Sequence, residues 1–169
     1  PNATCPFPRM LIVWREDTPG TCSDSQHAHI TAHGHGLALP VVFESALQHR
    51  PDRPEAYYAL PDEVKNFLAE LPVTWDDTRL LSGYPGTDVV IARRKGDVWY
   101  IGGLNGTNES RTLHFVPGSL TDLPKTITLI KDGAGERSFS IENNTPITDP
   151  QQVVSVECLP RGGFVAVIK

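Results

Sequence analysis

From Val73 to the C-terminus, apolar and polar residues alternate with a period of two in short runs separated by turn-forming residues. The runs D-V-V-I-A-R-R at Asp88–Arg94 and V-W-Y-I-G-G-L at Val98–Leu104 flank Lys95-Gly96-Asp97, a hairpin signature. The same pattern predicts strands at Thr78–Ser82, Arg111–Val116, Lys125–Lys131, Arg137–Glu142, Val153–Leu159 and Phe164–Lys169. Gly106, Gly118, Asp132-Gly133, Asn143-Asn144 and Gly162-Gly163 supply turns between them. About eight short strands predict a mainly β fold, an antiparallel sandwich. Alternation puts Val89, Ile91, Ile101, Leu113, Phe115, Ile127, Leu129, Phe139, Ile141, Val154, Val156, Phe164 and Ala166 on inward faces. Cys158 continues the alternation of Val154 and Val156.

Upstream the period changes. Pro61–Leu71 predicts a helix: proline opens it, Asp62 and Glu63 follow, and Val64, Phe67, Leu68 and Leu71 share a face. His27–His49 carries Leu37, Leu39, Val42, Phe43, Ala46 and Leu47 near helical spacing, but Pro40 is expected to kink or interrupt a helix. Arg50–Pro54 is a turn-rich break, and Met10–Trp14 is a buried-strand candidate in a segment dense in Pro, Thr, Cys and Asp.

Composition narrows the partners. Lys+Arg 15 against Asp+Glu 20 gives a net charge of -5. With no basic run, no nucleic-acid surface is expected. The longest apolar runs, such as Leu37–Phe43, are too short to span a bilayer, so no membrane partner is expected. Pro1–Thr4 lacks the charged and apolar regions of a secretory leader. Cys5, Cys22 and Cys158 cannot all pair internally; a Cys5–Cys22 loop and unpaired thiols both remain open.

His27, His29, His33 and His35 are four of the six histidines. On a helix His29 and His33 would share a face and could grip a divalent metal. Ile30 stands where H-E-x-x-H carries its acid, and two ligands do not close a site, so capping or solvent roles are the simpler reading. Asp76-Asp77 and Glu16-Asp17 are adjacent carboxylates that an extended chain points to opposite sides, so turn and strand-edge roles are expected. Trp14, Trp75, Trp99, Tyr57, Tyr58, Tyr84 and Tyr100 could form a sugar-stacking platform. At least one of Trp99 and Tyr100 must pack inward; Tyr84 is the best exposed candidate, although an aromatic folded over the core edge is the favoured reading. Asn2, Asn105, Asn108 and Asn143 begin glycosylation-type triplets, which turn-rich sequences produce by chance.

Two strings carry a family likeness: Pro72–Gly83, with W-D-D-T-R, and Val89–Gly103, with V-V-I-A-R-R-K-G-D-V-W-Y. Together they resemble the C-terminal region of glycoside hydrolase family 97; Leu37–Ser45 and Arg53–Tyr57 resemble the segment where that family leaves its barrel. The resemblance implies exo-acting α-glucosidases or α-galactosidases with a calcium-dependent (β/α)8 barrel followed by a β-sandwich. It places residues 1–49 as the last strand and helix of the barrel, 50–72 as a helical linker and 73–169 as the sandwich. The catalytic and calcium-binding carboxylates would lie before Pro1, so no catalytic, cofactor or metal residue is assigned here. The expected function is a non-catalytic structural or oligomerisation region, partnered by a catalytic barrel or further copies, in a periplasmic or extracellular enzyme. The alternatives are a carbohydrate-binding module and a small metal-dependent hydrolase using the His27–His35 cluster.

Overall fold

The computed structural model describes residues 30–43, 45, 57–122 and 125–169. The Met10–Trp14 strand, the Cys5–Cys22 loop, Glu16-Asp17, the break at 50–54, and His27 and His29 lie outside the described residues.

The period-two region folds into the expected strands, with one correction: Asn143 and Asn144, expected as a turn, form a bulge inside a single strand that runs from Phe139 to Ile147, with Asn144 left-handed. Strands β1 (Asp77–Tyr84), β2 (Asp88–Lys95), β3 (Val98–Asn105), β4 (Arg111–Phe115), β5 (Lys125–Asp132), β6 (Phe139–Ile147), β7 (Val154–Cys158) and β8 (Gly163–Ile168) form two antiparallel sheets. One sheet runs β1-β2-β3-β8-β5-β6, and β4 pairs with β7 in the other. The C-terminal strand β8 thus sits centrally, between β3 and β5.

A core fills the space between the sheets. Val90, Ala92, Trp99, Ile101, Leu113, Phe115, Ile127, Leu129, Val156, Cys158, Phe164, Ala166 and Ile168 are buried there, with Phe164 stacked on Phe115 at 5.8 Å between ring centroids. Burial pushes the Cys158 thiol up to about 12. The opposite face of the large sheet is covered too. Helix α1 (His33–Val42) crosses β3 and β8, and helix α2 (Asp62–Glu70) buries Val64, Phe67 and Leu68 in the same layer. Glu70 pairs with Lys169 at 3.1 Å and Glu63 accepts from Asn143 at 3.4 Å, setting α2 against β6 and the chain end. Architecture is therefore helix, sheet, sheet.

This second layer corrects part of the expected core. Val89 and Ile91 are half-buried and pack on the helix side, while Val90 and Ala92 face the other sheet. With both faces of β2 covered, alternation reports burial but not direction. Phe139 and Ile141 likewise lie half-buried on the helix side, and the register irregularity between Ile127 and Leu129 separates that phase from the Thr145–Ile147 end of β6. Val154 is half-buried against the inter-sheet core.

Gly102 and Gly103 show how tightly the layers close on β3. A Cβ at Gly102 would meet Val41, Val42 and the Ala38 carbonyl of α1 at 3.0–3.2 Å. A Cβ at Gly103 would run into the Phe164 ring on the other side. Two side-chain-free positions let a helix and an aromatic ring approach one strand from both faces.

Candidate functional site

The most organised constellation of polar groups is the seam holding α1 to the sheet. By its own sequence, H-G-H-G-L-A-L-P-V-V is a poor helix, with two glycines, an internal proline, no acid in the first turn and no base in the last. Strands supply what it lacks. Asp132, at the end of β5, is buried and accepts the Gly34 N–H at 3.0 Å in the helix's first turn. Its other oxygen accepts from Leu159 N at 3.1 Å and Gly163 N at 2.8 Å. A Cβ at Gly34 or Gly162 would strike this carboxylate, so glycine at both positions permits the approach. Burial raises the Asp132 pKa, against the pull of its backbone donors from Gly163, Leu159 and Gly34.

At the helix's other end, Arg93 of β2 is buried and donates from Nε to the Val41 carbonyl at 2.6 Å and from Nη2 to the Val42 carbonyl at 3.1 Å. Its Nη1 reaches Thr78 Oγ1 at 3.1 Å, and the guanidinium lies 6.0 Å over Trp75. An anion at the N-terminal turn and a cation at the C-terminal carbonyls match the helix dipole. Pro40 removes only the N–H that would face the Gly36 carbonyl, so the helix runs on to Val42 under this clamp. Arg93→Met should therefore cost about 2–4 kcal/mol, since buried carbonyls lose a charged donor. The expected signature is loss of hydrogen-exchange protection in α1 with β3 and β8 unchanged; unaltered protection at Val42 and Phe43 would refute the clamp.

Neither residue stood out in the sequence, where Arg93 belonged to a strand and Asp132 to a turn. The available signal was indirect: a helical apolar spacing at residues 37–43 without local caps.

Of the histidine cluster, His33 and His35 are described; residues 30–32 are not helical, and Pro40 does not prevent the helix that begins at His33. The His33 ring lies tilted against Phe139, with 5.7 Å between centroids, and the His33 backbone N–H donates to the Glu136 carbonyl. Burial lowers the His35 pKa, opposed by a hydrogen bond with the Gly162 backbone. Among the described residues, no cluster of three His, Cys, Asp or Glu could hold a metal ion.

The carboxylate pair is committed to the hairpin. Asp76 accepts from Gly96 N at 2.8 Å and Lys95 Nζ at 3.2 Å, contacts that hold its carboxyl below the usual range. Asp77 binds Arg79 at 3.0 Å and the Thr78 N–H at 2.8 Å. Trp75 packs edge-on to Tyr100 at 5.5 Å, Trp99 lies beneath Arg79 at 4.9 Å, and Tyr57 packs on the helix-side core. Tyr58 and Tyr84 are exposed; Tyr84, at 72%, is not folded over the core edge. Asn105 is buried, its amide donating to the Glu109 and Leu159 carbonyls, so this triplet locks a turn.

A family model described as glycosyl-hydrolase 97 C-terminal, oligomerisation, matches residues 74–169, the span of all eight strands. The chain belongs to this family. The whole chain, which includes this GH97 C-terminal region, is 33% identical over 165 residues to a probable retaining alpha-galactosidase of Streptomyces bingchenggensis, covering 97% of this chain and 25% of that protein. It is 38% identical over 137 residues to a retaining alpha-galactosidase of Bacteroides thetaiotaomicron, covering 79% and 20%. A family 97 enzyme from Pseudoalteromonas sp. strain K8, solved with acarbose, superposes with TM-score 0.74 at 27% identity over 82% of this chain and 22% of that one. A beta-arabinopyranosidase superposes with TM-score 0.69 at 29% identity, over 82% and 21%. The chain thus spans between a fifth and a quarter of the length of the curated relatives it matches. In this GH97 region the clamp joins the matched sandwich to α1, which lies upstream of residue 74.

Proposed function

We propose that the chain serves as the architectural and self-associating C-terminal region of a larger α-galactosidase- or α-glucosidase-type enzyme, whose barrel performs the chemistry. Calcium, where the enzyme uses it, belongs to that barrel, and the working location is periplasmic or extracellular. The observation that carries the reading is the clamp, because it ties the sandwich rigidly to the chain segment leading from a barrel. Self-association has a candidate surface. Of the two edges of the large sheet, β6 carries Pro146 and a left-handed Asn144, both unfavourable to further pairing. The β1 edge instead exposes Leu80 at 68% and Tyr84 at 72%. A second copy pairing there would satisfy open backbone groups and cover both side chains.

Light scattering of the purified chain is expected to show an oligomer, converted to monomer by Leu80→Asp combined with Tyr84→Ser. A wild-type monomer, or an oligomer indifferent to those changes, would reject the β1 surface. No 4-nitrophenol should be released from aryl α-galactosides or α-glucosides with calcium present, since hydrolysis needs two carboxyl groups about 5–10 Å apart across the sugar. Release by the pure chain would overturn the non-catalytic reading.

A further inference from the structure

At one end of the sandwich, the β2–β3 hairpin and the segment after β4 border an open hollow of about 460 Å³, within the range of about 300–1,000 Å³ common for small-ligand sites. Its rim carries Arg94, Asp97, Thr121, Asp122 and Lys125, and Leu120 and Trp99 also line it. The Asp97, Thr121, Asp122 and Lys125 side chains make no hydrogen bond or ion pair among the described residues.

The hairpin and the Pro117–Ser119 turn opposite it are held in place. The hairpin is fixed by Asp76, which accepts from Gly96 N and Lys95 Nζ. Arg94 is oriented by donating to the Gly96 carbonyl at 2.9 Å while lying 6.0 Å over the Trp99 ring. The opposite wall is the short 3-10 turn Pro117–Ser119, closed by Ser119 Oγ donating to the Val116 carbonyl at 2.7 Å. Arg79 crosses to it and donates to the Ser119 carbonyl at 3.1 Å.

Its chemistry selects the ligand class. Two carboxylates and two cations balance, so neither an anion nor a metal cation meets a uniformly complementary wall. A neutral polyol does: its hydroxyls donate in pairs to the carboxylates and accept from ammonium and guanidinium. We propose that this hollow binds a neutral polyol of monosaccharide size, using Asp97 and Asp122 as acceptors and Lys125 and Arg94 as donors.

The test is titration of the 15N-labelled full chain with D-galactose and D-glucose, followed by amide shifts, with inorganic phosphate and calcium chloride as parallel arms. Expected are saturable shifts at Gly96, Asp97, Ser119, Thr121 and Asp122 with at least one sugar. Asp97→Asn with Asp122→Ala should weaken binding by about tenfold or more. Both residues are exposed, so an unchanged spectrum elsewhere will show the fold intact. Absence of saturation with either sugar, shifts confined to other surfaces, or response to phosphate or calcium in place of sugar would overturn the proposal. Oligomeric mass, measured separately, leaves the assembly reading independent of this outcome.

Discussion

Asp132→Ala is expected to lower stability by roughly 3–5 kcal/mol, a large share of a typical domain's total. The substitution removes the acceptor of three backbone N–H groups, those of Gly34, Leu159 and Gly163, at a buried junction of α1, β5 and the β7–β8 turn. Each orphaned donor costs about 1–3 kcal/mol, partly offset because a buried carboxylate is itself poorly solvated. Its raised pKa gives this effect a pH signature. The folded chain holds the Asp132 proton more tightly than the unfolded chain does. That contribution is complete below the ordinary carboxylate range and is lost as pH rises through the raised value. The gap between wild type and Asp132→Ala should therefore widen on acidification from neutrality. His35 acts in the opposite sense, since its lowered pKa removes stability as pH falls, but it is present in both proteins. Urea unfolding at several pH values measures the gap; a gap that narrows toward acid would contradict the burial argument.

Phe164→Ala should cost about 3–5 kcal/mol and lower Tm by about 10 °C or more. The ring is fully buried at the centre of the large sheet, stacks on Phe115 of β4 and fills the space above Gly103. Nothing in the neighbouring strands can collapse into the void, because β3 and β5 hold β8 on both sides. Loss of the ring should also loosen the β4–β7 sheet, so near-ultraviolet circular dichroism should fall. Phe139→Ala is the contrast: that ring is half-buried on the helix side and should cost less than half as much. Equal costs at both sites would mean that the inter-sheet layer is not the dominant core.

The eight strands, most of their turns and helix α2 were legible because their determinants are local, whereas Asn143-Asn144, read as a turn, is a bulge within β6. A period of two, turn residues at hairpin ends, and a proline followed by acids need no distant partner to be read. The strings around Trp75 and Val89–Gly103 likewise carried the family likeness that the match over residues 74–169 bears out. Direction was not legible wherever both faces of the sheet are covered. Val89 and Val90 are equally apolar, and only the arrival of α1 on one side and β4–β7 on the other decides which core each enters. Helix α1 is the sharpest case. Its glycines and Pro40 argue against a helix locally, yet it forms because Asp132 and Arg93, remote in sequence, bring opposite charges to its two ends. The hollow under the β2–β3 hairpin is also a product of tertiary structure, since Arg94 and Asp97 meet Thr121, Asp122 and Lys125 only when the strands are assembled. Local pattern determined which elements exist; long-range hydrogen bonds between buried charges and backbone determined how the layers close.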